Sequence, residues 1–231
     1  MLEYRQEQKY ICTQRQIEIL KARLSPVMHV DEHQNGACYR VRSLYFDDPK
    51  NSAFNDNDAG LDCRRKFRLR VYDHPTERIH LEIKDKQHGG TKKDSSPISR
   101  DQYEKILRGE RIPWNSNDPN AFRLLCKEMF SSALSPQIIV EYERSAYVCP
   151  VGNVRVTFDR NIAYSNRICN FLDESIPLVP ILPEGLHLVE VKYDELIPDY
   201  LLQLLQLNEL SWTTFSKFYL ACLARKGEYI W

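Results

Sequence analysis

Neither sign of charge is in excess in this 231-residue chain: 32 Lys and Arg balance 32 Asp and Glu. A general nucleic-acid binder, or a protein held on anionic lipid, is usually basic overall, so the balance argues against both. Cysteine pairs at ligand spacing are missing too. The seven cysteines stand at 12, 38, 63, 126, 149, 169 and 222, an odd number with no CxxC and no Cys/His pattern. That excludes a zinc site and a disulfide framework and is met most simply by reduced thiols. No apolar run approaches the roughly 20 residues of a membrane span, and MLEYRQEQKY has no signal-peptide core. A soluble, cytoplasmic protein is expected. There is no GxxxxGK[ST] loop, no GxSxG elbow and no Rossmann glycine pattern. The six histidines lack ligand spacing and are expected at the surface or in the core.

What is present is an inverted strand pattern. In RRKFRLR, residues 64–70, one face of a strand carries Arg64, Lys66, Arg68 and Arg70 and the other Phe67 and Leu69. Taken alone, this is an edge strand with a solvated face. The pattern recurs, however. His80, Glu82, Lys84 and Lys86 oppose Ile79, Leu81 and Ile83; Glu3, Arg5, Glu7 and Lys9 share a face; Glu190 and Lys192 oppose Val189 and Val191. Arg155, Thr157 and Asp159 oppose Val154, Val156 and Phe158, and Tyr142 shares a face with Arg144.

Strands are expected at 3–10, 39–46, 64–72, 79–86, 138–147, 154–159, 161–164 and 187–193. Helices are expected at 14–24, 99–108, 119–133, 199–207 and about 216–226, with Ser99 and Gln102 in capping-box spacing and Pro198 opening the fourth. The stretch 86–97 reads as a flexible loop from its Gly, Ser and Pro content. No repeat or long linker divides the chain, and residues 1–231 are expected to form one α+β domain with an antiparallel sheet. Two arrangements fit the charged faces. One is an open sheet, wet on one side. The other is a closed barrel whose charges point inward around water, ions or an anion, because burying so many unpaired charges would be prohibitive.

RQEQKY, SLYFDD at 43–48, RRKFRLRVY at 64–72, LEIKDK at 81–86, EYERSAY at 141–147, VRVTFD at 154–159, LVEVKYD at 188–194 and SKFYLA at 216–221 occur in this order. Together they resemble the VTC (vacuolar transporter chaperone) polyphosphate polymerase domain of the triphosphate tunnel metalloenzyme, or CYTH-like, superfamily. The resemblance runs from about residue 3 to 221. It implies an eight-stranded antiparallel β-barrel tunnel with helices packed outside, which selects the inward-facing arrangement. It implies transfer of the ATP γ-phosphoryl group to inorganic polyphosphate, with Mn²⁺ or Mg²⁺ as cofactor. Phosphate-binding and catalytic roles fall by motif on Lys9, Arg68, Arg70, Lys84, Arg144, Arg155, Lys192 and Lys217. Tyr142 and Ser216 join them as substrate contacts, with Arg64 or Arg65 beside them. The metal falls on Glu190, with Glu7 as a second ligand.

These residue types suit that chemistry. Guanidinium forks match phosphate oxygens bidentately, lysines supply point charge, and a hydroxyl at a helix start makes an anion site. Glu82 is expected as the ion-pair partner of Lys84, and Lys92 and Lys93 as residues of a solvated loop, with contact to chain phosphates at a tunnel mouth as the alternative; Tyr142 is equally at home as a packed tyrosine. The superfamily opens with ExExK, where this chain has Arg5-x-Glu7-x-Lys9. Hydrolytic and cyclase members use more carboxylates, so the departure leans towards a polymerase acting on ATP and polyphosphate or pyrophosphate. An inorganic tripolyphosphatase or nucleoside triphosphatase of the same fold stays open, as does a non-catalytic polyphosphate- or nucleotide-binding module. A membrane-protein partner is not encoded in these residues.

Overall fold

A computed structural model describes residues 6–73, 78–87, 90–206 and 211–228. Within them the chain runs β1 (Gln6–Thr13), α1 (Gln14–Leu24), β2 (His29–Val30), β3 (Tyr39–Asp47), α2 (Ser52–Asp58), β4 (Arg64–Tyr72), β5 (Ile79–Gln87) and β6 (Gly90–Ile98). It continues through α3 (Arg100–Leu107), α4 (Asn120–Ser131), β7 (Ser135–Cys149), β8 (Val154–Ser165), β9 (Val179–Pro180), β10 (Leu186–Tyr193), α5 (Asp199–Leu205), β11 (Ser211–Trp212) and α6 (Lys217–Arg225). Arg5, the departure from ExExK, and the start of the expected 3–10 strand lie outside the described residues.

One antiparallel sheet results, in the order β11-β1-β10-β8-β7-β3-β4-β5-β6, with β2 on β7 and β9 on β8. Eight strands are long, and β2, β9 and β11 have two residues each. The ladder does not close into a barrel among the described residues, since β6 and β11 end it. The sheet instead curls until side chains meet across the gap: Lys84 Nζ on β5 lies 2.9 Å from Glu7 Oε2 on β1.

The convex face is apolar. Phe67, Leu69 and Val71 of β4 with Leu81 and Ile83 of β5 pack under Ile106 of α3 and Phe122 and Leu125 of α4. Val154, Val156 and Phe158 of β8 with Val189 and Val191 of β10 pack under Ile17, Leu20 and Leu24 of α1 and Leu201 of α5. These helices sit outside, as expected. The last helix does not: Phe218, Ala221 and Cys222 of α6 join Val41, Tyr45, Ile138, Val140 and Tyr142, which share the concave face with the cations. The concave face is therefore half apolar, under α6, and half charged.

Three local readings of the sequence are corrected. The segment 86–97 reads as a loop, but Gly90–Ile98 is a strand paired along β5, with Pro97 opposite His80. It is an edge strand, the position where a proline costs no ladder bond. The 154–159 and 161–164 segments are one strand, interrupted by a register shift where Asn161 adopts a positive φ of 52°. The extra residue of such a bulge flips the alternation, so Asp159 and Ile162 both reach the concave side. The helix α2 had no periodicity to announce it. Its start is made by the aspartates of SLYFDD: Asp47 accepts from the N–H groups of Ala53 (2.9 Å) and Phe54 (3.1 Å), and Asp48 from Ser52 N (3.0 Å) and Oγ (2.6 Å). At 99–107 the expected capping box is present on Ser99 and Gln102. No helix among the described residues is long and apolar enough to cross a membrane.

Candidate functional site: a cationic cavity

The charged half of the concave face bounds a cavity of about 570 Å³. Cross-strand register builds it. Directly opposed residues share a face, so Arg155–Lys192–Glu7 and Thr157–Glu190–Lys9 form rows across β8, β10 and β1. Ser43–Arg70 and Tyr45–Arg68 do the same across β3 and β4, and Lys66–Lys84 and Arg64–Lys86 across β4 and β5.

Lys9, Arg64, Arg68, Arg70, Lys84, Arg144, Arg155, Lys192 and Lys217 line this one cavity, with Glu7, Glu190, Tyr142 and Ser216. Arg65 does not. It stands on the opposite side of the pleat, 2.9 Å from Asp85, so it leaves the candidate set. Residues not assigned from the motifs also line the cavity: Lys66, Lys86, Lys93, Glu82, Tyr45 and Asn57. The alternation in RRKFRLR already pointed Lys66 inward. Lys93, expected mainly in a solvated loop, lines the cavity from strand β6.

Most of the cations are held by carboxylates. Glu7 accepts from Lys9 at 2.7 Å and Lys84 at 2.9 Å. Burial and the neighbouring Glu190 carboxylate oppose its charge, but Lys9, Lys192 and Lys84 outweigh them and hold it at about 2. Glu190 is 5% exposed and pairs with Lys192 at 2.6 Å. Burial again opposes ionisation, and Lys192, Lys9, Lys217 and Arg144 hold the carboxyl well below its ordinary value. Glu82 does not partner Lys84. It binds Arg68 at 2.7 Å, Lys93 at 2.5 Å and Arg70 at 3.4 Å.

Beneath the cavity floor, fully buried Asp159 grips Arg144 with both oxygens, at 2.7 and 2.8 Å, and Lys217 at 2.7 Å. Tyr142 works as a platform: its ring lies under Lys217 (4.8 Å) and Arg144 (5.2 Å), and its hydroxyl accepts from Arg70 at 3.3 Å. Arg155 is drawn to Asp31 at 2.9 Å, while its buried Nε–H has no hydrogen-bond partner. Ser216 caps α6, its Oγ accepting from Tyr219 N at 3.4 Å.

Such an arrangement can receive a polyanion. Most of its guanidinium and ammonium groups are fixed by carboxylates, so their free N–H groups are oriented before a ligand arrives.

Comparison with known proteins agrees with this geometry. No curated protein sequence matches the chain. Among solved structures, a Hippeastrum protein named for adenylyl cyclase and described as having a dominant triphosphatase activity superimposes with a TM-score of 0.57 at 16% identity, covering 99% of this chain and 98% of that one. The PH1819 protein of Pyrococcus horikoshii gives 0.51 at 14% identity over 96% and 99%. A Bacillus halodurans protein named as an adenylate cyclase gives 0.51 at 12% identity over 82% and 80%. At these identities the likeness is one of fold. The profile of the VTC domain matches residues 4–225, nearly the whole length, and the chain belongs to the VTC domain family.

Proposed function

We propose that this protein is a metal-dependent polyphosphate polymerase, transferring the γ-phosphoryl group of ATP to the end of an inorganic polyphosphate chain and releasing ADP. One observation carries the reading. Among the described residues the cavity is lined by twelve Lys and Arg side chains and three carboxylates. A triphosphate brings about four negative charges, so the surplus suits several phosphates held in a row.

In the transfer, a terminal oxygen of the acceptor forms the new bond to the γ-phosphorus as the bond to the β-bridging oxygen breaks. The acceptor oxygen is already ionised, so no general base is required, and positioning with charge neutralisation suffices. Arg68, Arg70, Arg144 and Arg155 offer forks to non-bridging oxygens, and Lys9, Lys84, Lys192 and Lys217 add point charge. The carboxylates match this division of labour. Glu7, Glu82 and Glu190 are each tied to at least one cation and held ionised, which makes them poor proton acceptors near neutral pH.

Glu7 and Glu190 also fit a divalent ion. No cluster of three or more potential ligands occurs among the described residues. Mg²⁺ or Mn²⁺ needs only one or two carboxylates beside phosphate oxygens, and both are ionised oxygen donors on neighbouring strands. A metal held there would supply Lewis-acid neutralisation of the phosphates.

The test is one incubation of the purified protein with ATP, Mn²⁺ or Mg²⁺, and a pyrophosphate or short polyphosphate primer. Polyphosphate and orthophosphate are both measured. The expected products are polyphosphate and ADP, with primer stimulating synthesis. Orthophosphate alone, at every primer concentration, would replace the polymerase with a hydrolase of the same fold. No turnover with intact tripolyphosphate binding would leave a binding module.

A further inference from the structure

Most cavity cations have a carboxylate partner, and three among the described residues do not: Arg64, Lys66 and Lys86. They are neighbours, Arg64 opposing Lys86 and Lys66 opposing Lys84 on β4 and β5. Among the described residues the guanidinium of Arg64 donates only to the Leu61 carbonyl, at 3.3 Å. Lys66 Nζ donates to Asn57 Oδ1 at 2.6 Å and Ser216 Oγ at 3.0 Å, and lies 5.6 Å from the centre of the Phe218 ring. An ammonium has three N–H groups, so one is left for a ligand. The Ser216 oxygen already accepts from Lys66 and from Tyr219 N, which leaves its O–H to donate. The Asn57 amide N–H₂ is likewise a donor. Donors of both kinds, uncompensated by acid, thus gather on the α2 and α6 side of the cavity.

We propose that Lys66, with Arg64, Lys86, Asn57 and Ser216, forms a further phosphate subsite, and that Lys66 becomes charged when the phosphate binds. The subsite rests on the reading of the cavity as a polyphosphate site, but not on which acceptor the reaction uses. Its ligand is a phosphate unit of an inorganic chain of three or more.

The groups facing Lys66 explain its charging. They are Arg64 on its own strand, Lys84 on β5, Lys9 on β1 and Cys222 on α6. Acids on two neighbouring elements are occupied: Glu7 of β1 by Lys9 and Lys84, and Asp58 of α2 by the Tyr219 hydroxyl at 2.5 Å. Burial first, and then Arg64, Lys84 and Lys9, push the Lys66 ammonium down to about 7. A bound phosphate reverses the local field, so the amine takes up a proton as the anion arrives. Without ligand, the neutral amine spares this crowded corner one positive charge.

Calorimetric titration with inorganic tripolyphosphate at pH 8, in two buffers of different ionisation heat, tests this on the wild type, Lys66→Arg and Lys66→Met. Arginine stays protonated throughout, so Lys66→Arg is expected to bind tripolyphosphate but to take up fewer protons than the wild type, by up to about one. Lys66→Met is expected to bind about tenfold more weakly, the loss of one charge-assisted hydrogen bond. Equal proton uptake in wild type and Lys66→Arg overturns the proposal, and so does wild-type affinity in Lys66→Met. Should Lys66→Met fail to fold, the comparison with Lys66→Arg decides alone. A protein that shows the proton difference yet makes no polyphosphate keeps the subsite and loses only the polymerase reading.

Discussion

Glu190→Gln is expected to abolish turnover while tripolyphosphate binding holds or tightens. Glutamine keeps the shape of a side chain that is almost wholly buried, so the fold is little disturbed. It removes a negative charge 2.6 Å from Lys192 and close to Lys9, Lys217 and Arg144. The cavity becomes one unit more positive, and the freed Lys192 can turn to phosphate. A divalent ion held there would, in contrast, lose an ionised oxygen ligand, and Lewis-acid stabilisation is worth several kcal/mol. A fall in turnover of about a hundredfold or more is therefore expected. Two readouts separate the effects: tripolyphosphate affinity without metal, and Mn²⁺ binding followed by its paramagnetic resonance. Wild-type turnover in Glu190→Gln would remove Glu190 from the metal site and leave Glu7 as the remaining carboxylate there.

The second large effect concerns stability. Asp159→Asn leaves Arg144 and Lys217 buried beside a neutral amide, where the wild type has three close contacts to one carboxylate. Removing one partner of a buried ionic group typically costs about 3–5 kcal/mol, because the other charges stay behind unpaired. For a chain of this length that corresponds to a drop in Tm of roughly 10 °C. Burial works against the Asp159 charge, and Arg144 and Lys217 outweigh it, so the carboxyl lies below its ordinary value in the folded state. The unfolded chain then takes up the proton first as pH falls. The Asp159 contribution is complete above about pH 4 and is lost on further acidification, so wild type and Asp159→Asn should converge in acid. Tripolyphosphate should raise Tm more in Asp159→Asn than in the wild type, since a bound anion replaces the missing charge. Equal increments would mean that Arg144 and Lys217 do not meet the anion.

The inward charge was legible because it is local. Period-two alternation in RRKFRLR, LEIKD and LVEVK assigns each side chain to a face without knowledge of what the strand meets. Eight ordered motifs then supplied the family, and the site residues carried over from them line one cavity, Arg65 excepted. Arg65 shows the limit of motif carry-over: adjacent arginines in a strand point to opposite faces, and only one of the two can reach a given site.

What the sequence by itself determined is therefore the inward faces of the strands that alternate regularly, the balance of charge and the membership of the family. Pairing across the sheet was decided by the tertiary structure alone. Glu82 meets Arg68, Arg70 and Lys93 in place of Lys84, because β6 is a strand and the curl of the sheet carries Lys84 over to Glu7. The place of α6 on the concave face, and the α2 turn that brings Asn57 to Lys66, were equally out of reach. These contacts join residues as far apart as 77 and 150 positions along the chain. No local periodicity encodes such a meeting; it follows from register, bulge and curl acting together over the whole sheet.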